Sequence, residues 1–90
     1  MDQSAFTIQL AKEGFQPPVL VMREAHGTLD AHAHPFDAKA LVIEGELRIR
    51  TAAGERHYGV GEIFQLAAHE PHSEVFDAQG VSYLAGRRPA

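Results

Sequence analysis

Cysteine is absent from the 90-residue chain, which excludes disulfides and thiolate chemistry and leaves the redox compartment open. Positive charge is scarce. Eight Lys and Arg stand against twelve Asp and Glu, a net charge of −4, and no basic stripe is present, which argues against nucleic acid as a partner. The one adjacent pair of cations, Arg87 and Arg88, reads as a solvated tail. Long apolar runs are missing too, so no membrane association is expected. The first residues, MDQSAF, lack the cationic and apolar regions of a secretory signal, and a cytoplasmic location is expected. No phosphate loop, nucleophile elbow or Ser/His/Asp set is visible, nor any low-complexity or solenoid repeat.

What is there suggests one small domain spanning residues 1–90. Its apolar fraction of 44% is enough for a core, but a chain of this size has a thin stability margin, and a metal or a partner subunit would help. Ser4 can cap a short amphipathic helix over Ala5 to Glu13, with Phe6 and Leu10 on one face and Gly14 as its left-handed stop. Alternation at Phe6, Ile8 and Leu10 would also suit a strand, but the Gly14 stop favours the helix. Pro17 and Pro18 end it.

Beyond Val19 the eight Gly and five Pro punctuate about eight short segments. These are Val19 to Glu24, Thr28 to His34, Lys39 to Glu44, Leu47 to Thr51, Arg56 to Tyr58, Ile63 to Leu66, His72 to Asp77 and Val81 to Ala85. Turns are expected at Glu44-Gly45, Ala53-Gly54 and Gln79-Gly80. So many strands in so short a chain predict an all-β fold, a closed barrel or jelly roll. Lys39 to Glu44 is apolar on both faces, which suggests that its outward side is covered by a second sheet or another subunit; a homodimer through that face is expected.

His32 and His34 lie two apart in an extended segment, so they share a face at roughly 6.5 to 7 Å and can lean onto one ion. In sequence order the stretch reads Gly27, His32, His34, then Gly45 in VIEGEL; later comes Gly61-Glu-Ile-Phe-Gln-Leu-Ala-Ala-His-Glu-Pro-His72. This pair of motifs resembles the cupin superfamily, specifically its small single-domain, RmlC-like members, over nearly everything from Val19 to Arg87. The resemblance implies a jelly-roll barrel with a divalent metal held by His32, His34 and His72. Iron(II) is favoured if the protein is catalytic, with zinc, nickel or manganese as alternatives. It also implies a small-molecule ligand. In cupins that lack the Glu ligand, it implies dioxygenases acting on chelating acids or diketones. A non-catalytic binding or sensing module, or an isomerase or lyase, is the competing reading.

Two departures from the pattern bear on the site. The superfamily's Glu ligand falls at Ala38, which cannot coordinate, while the neighbouring Asp37 and Lys39 have outward parity. Ala67 and His69 stand where the second motif has Pro and Gly. Whether Asp37 or His69 joins the metal stays open. His69 and Glu74 are candidates for a supporting acid or base, Phe36, Ala38, Phe64, Leu66, Phe76 and Tyr83 for the cavity lining, and His26 and His57 for solvated surface.

Overall fold

In the computed structural model, which describes residues 1–90, a helix, α1 (Gln3–Lys12), precedes six strands: β1 (Val19–Arg23), β2 (Thr28–His32), β3 (Phe36–Thr51), β4 (Gly54–Tyr58), β5 (Ile63–Leu66) and β6 (His72–Pro89). The helix starts two residues before its expected beginning. Asp2, not Ser4, is the N-cap, its Oδ1 accepting the Ala5 amide at 2.8 Å. Gly14, at φ 83°, ends the helix in the left-handed conformation as the sequence suggests.

The strands β3 and β6 organise the molecule. They run antiparallel along each other from Phe36↔Pro89 to Arg50↔Ser73, with register shifts at Val42/Glu44 and Gly45/Leu47. The first half of β3 pairs with β5 and the second half with β4, while the last half of β6 pairs with β1 and its first half with β2. Each long strand thus serves two four-stranded layers, β1-β6-β3-β5 and β2-β6-β3-β4. The result is an all-β jelly roll with one short helix. Eight strand segments were expected and six strands are present, because the turns anticipated at Gly45 and Gly80 are bends within the continuous strands β3 and β6.

Close packing explains those two glycines. Both have positive φ, 74° and 71°, and a Cβ on Gly45 would sit 2.0 Å from the Gly80 carbonyl oxygen. The two backbones touch where the layers fold over each other. Between the layers lies the main core, including Ala40, Val42, Leu47, Ile49, Phe64, Leu66, Phe76, Val81 and Tyr83.

Alternation along β3 sends Ala40 and Val42 into this core and Leu41 and Ile43 outward. The outward pair does not wait for a subunit. Leu41 is buried against Phe6, Leu10 and Phe15, with Ile43 packed alongside, so the chain's own N-terminal segment covers the face assigned to a partner. Arg88 pins that segment down. Its Nη1 donates to the Glu13 carbonyl at 2.8 Å, its guanidinium lies 4.4 Å from the Phe15 ring centroid, and Nε and Nη2 donate to Asp37 Oδ2. Lys39 adds an ion pair to Glu13 at 2.8 Å.

Candidate metal centre

Antiparallel pairing places the histidines together. His32, the last residue of β2, is the direct cross-strand partner of His72, the first of β6. Their ring centroids are 4.2 Å apart. His34 lies just beyond β2, its ring centroid 5.0 Å from His32 and 5.3 Å from His72. One ligand atom from each of the three lies within 4.8 Å of the others, a grouping that could hold a metal ion.

The backbone decides which nitrogen each ring offers. His32 Nδ1 is 2.7 Å from the Asp30 carbonyl oxygen, and His72 Nδ1 is 3.0 Å from that of Glu70. A carbonyl can only accept, so both Nδ1 atoms carry a proton, and in the neutral rings both Nε2 atoms present a bare lone pair. A carbonyl bonded behind a metal-binding imidazole fixes its tautomer in this way. His34 is held by its ring, stacked 4.9 Å from Phe36 at 15°, and its carbonyl accepts the His69 amide at 2.6 Å. Burial, and then the nearby His32, His72 and Arg87, push the His34 pKa down, which favours the form that binds metal. His72 Nε2 is buried without a hydrogen-bond partner. An orphaned buried nitrogen, two imidazoles oriented by carbonyls and a third imidazole beside them fit a divalent metal.

The imidazoles open on a cavity of about 110 Å³ whose wall includes Phe36, Ala38, Phe64, Leu66 and Tyr83. Ala38 therefore faces the cavity from the position where a Glu was expected. Phe76 does not line the cavity. It is buried in the main core, four residues beyond His72 along β6 and so roughly 13 Å further from the mouth.

The open questions about Asp37 and His69 have structural answers. Asp37 turns away from the histidines, accepting the Ala68 amide at 2.9 Å and the Arg88 guanidinium; these bonds hold its carboxyl below the usual aspartate range. His69 is exposed, outside the cavity wall, in the left-handed conformation at φ 64°. That is the conformation a Gly adopts without strain, which explains the residue expected there.

Glu74 is less exposed than its charge suggests. It is 5% exposed, lines the cavity beside the histidines, and burial pushes its pKa up. Arg23 and Arg87 also line the cavity, and the Arg87 guanidinium sits 4.7 Å from the Phe36 ring centroid. Arg23 was not singled out in the sequence, and Arg87, read there as a solvated tail, instead lines the cavity. A second group, Glu46, His57 and Asp77, meets at the surface, with His57 Nε2 3.1 Å from Glu46 Oε2 and about half of each side chain exposed. Such a solvated cluster contributes little.

A small antiparallel jelly roll with three imidazoles converging on one cavity defines a class of protein, and comparison with known proteins agrees. No family model matches the sequence, and no curated protein is similar to it at the sequence level. Among solved structures, an RmlC-like cupin from Shewanella frigidimarina NCIMB 400 has 22% identity and a TM-score of 0.70, over 82% of this chain and 66% of that one. The DMSP lyase DddQ from Ruegeria pomeroyi DSS-3 has 19% identity and a TM-score of 0.73, over 80% and 37%. A protein of unknown function from Rhizobium leguminosarum bv. viciae 3841 has 16% identity and a TM-score of 0.74, over 100% and 97%. The chain thus spans about two thirds of the Shewanella chain and little more than a third of the lyase. At these identities the likeness defines the fold, and the fold is that of a small cupin.

Proposed function

We propose that this cupin binds a divalent metal through His32, His34 and His72 and acts as a metal-dependent oxygenase on a small chelating acid or diketone. The observation that carries the reading is the pair of carbonyl-held imidazoles, which brings the Nε2 atoms of His32 and His72 to one space beside His34. Bound there, the metal would supply Lewis-acid polarisation of a carboxylate or enolate and, as iron(II), an electron source for dioxygen.

The chain's own residues set what can enter. A cavity of about 110 Å³ is small, which favours a compact substrate. Phe36, Phe64, Leu66 and Tyr83 exclude water from its apolar side. Arg87, stacked on Phe36, places a positive charge for a substrate carboxylate.

Lyase chemistry is the second reading, favoured by the likeness to DMSP lyase DddQ. Oxygen uptake separates the two. Protein purified without oxygen and loaded with iron(II) should consume dioxygen in step with one of a panel of small acids and diketones. Turnover that proceeds equally well without oxygen would instead support a lyase, and no turnover would support a binding module.

A second copy of the chain belongs to the proposal, at a different place from β3. Val19, Leu20 and Met22 are 60%, 52% and 71% exposed on β1, which pairs with β6 alone and so forms a sheet edge. Sedimentation should show a dimer that Met22→Glu weakens.

A further inference from the structure

We propose that Glu74 is a fourth ligand of the metal, supplying from β6 the carboxylate that Ala38 cannot. This rests on the three-histidine reading and changes the charge of the site.

Glu74 lies two residues after His72 on the same face of β6 and is buried. Its Oε2 is 3.7 Å from His32 Nε2 and 3.8 Å from His72 Nε2. Both separations are too long for a hydrogen bond. Both suit two donor atoms that share an ion: with bonds of about 2.1 Å, such atoms lie between about 3.0 Å apart at a right angle and about 4.2 Å apart when opposite.

The tautomers make the arrangement harder to explain without a cation. With the proton on Nδ1, the Nε2 of each neutral ring turns a lone pair toward the carboxylate and has no hydrogen to donate to it. Glu74 Oε1 and His72 Nε2 are both buried without a hydrogen-bond partner, so Arg23, Arg87 and Tyr83, the other polar side chains on the cavity wall, do not satisfy them. Leaving the buried His72 Nε2 and Glu74 Oε1 unpaired is costly, and Oε2 of the same carboxylate stands close to both imidazoles without bonding either. A divalent ion among them removes that cost.

The consequence is a site of three imidazoles and one carboxylate, in which the carboxylate arrives from the second motif rather than the first. One negative ligand lowers the uncancelled metal charge from two to one. In six-fold coordination it leaves two positions, enough for one chelating substrate. A carboxylate also shifts preference toward hard ions such as manganese(II), whereas imidazole alone suits zinc, copper, iron and nickel.

The test is calorimetric titration of the metal-free full chain with manganese(II) and with zinc(II), for wild type, Glu74→Gln and His72→Ala. Loss of an outer-shell partner typically lowers affinity by about 10- to 100-fold, so loss of a ligand should weaken manganese(II) at least about 100-fold, and zinc(II) by less. Glu74→Gln that binds manganese(II) like wild type, while His72→Ala does not, overturns the proposal and leaves the three-histidine site standing. Wild type that binds neither ion overturns both. A structure of the manganese-loaded wild type decides the matter without any variant. The proposal expects a Glu74 oxygen within about 2.3 Å of the ion, and a gap beyond about 3 Å contradicts it.

Discussion

At the scale of single residues, the proposed metal centre depends on carbonyls as much as on imidazoles. Asp30 and Glu70 contribute through their backbone oxygens, each two residues before the histidine it orients. The three-histidine grouping was legible because β-strand parity and two short motifs mark it. The orienting bonds were not, since any residue carries a carbonyl. Glu74 shares parity with His72 and so was visible as a neighbour, but its burial depends on how the two layers close over it. His69 yields a stability prediction. A non-Gly residue at φ 64° costs about 1 kcal/mol or more, partly offset by the flexibility glycine adds to the unfolded chain. His69→Gly should therefore be at least as stable as wild type in urea unfolding, by up to about 1 kcal/mol, whereas β-branched His69→Val should lose stability.

Asp37 gives the pH dependence. Its carboxyl is held below the usual aspartate range, first by the Ala68 amide and then by Arg88. A depressed pKa in the folded state contributes stability above the unfolded value, near 3.9, and that contribution is lost as pH falls through the folded value. Asp37→Asn should therefore melt below wild type near neutral pH, and the gap should close progressively in acid. A difference that widens on acidification would contradict the assignment.

At the scale of elements, the segments read from the sequence are present, but two pairs of them are continuous. Gly45 and Gly80 carry the left-handed signal of a hairpin turn, yet they bend β3 and β6 past each other, because their backbones meet at a distance no side chain allows. Sequence alone does not separate a turn from a bulge when both need positive φ. Gly45→Ala should cost more than about 3 kcal/mol, combining a left-handed penalty with overpacking against backbone. Gly59→Ala, where a Cβ meets nothing nearer than 3.6 Å, should stay within about 0.5 kcal/mol in the same denaturant titration. The helix carries the other element-scale lesson. Apolar residues on both faces of Lys39 to Glu44 showed that a cover was needed, but not that Phe6 and Leu10 supply it. Leu10 is 1% exposed, and Leu10→Ala should destabilise by about 2 to 5 kcal/mol.

At the scale of the whole molecule, a 90-residue chain gathers three imidazoles and a buried carboxylate at one cavity, with His72 Nε2 and Glu74 Oε1 buried and unpaired. On the proposed reading a cation bound there favours folding. Metal present at about 100 times its dissociation constant contributes about 2.7 kcal/mol, which for a domain of this size raises the melting temperature by roughly 10 to 20 °C. Metal-dependent melting, read together with metal content, therefore tests the three-histidine site. Wild type should hold one divalent ion per chain and show a rise of that order, both lost in His72→Ala. An unchanged melting temperature in wild type, or His72→Ala that retains its ion, would contradict it.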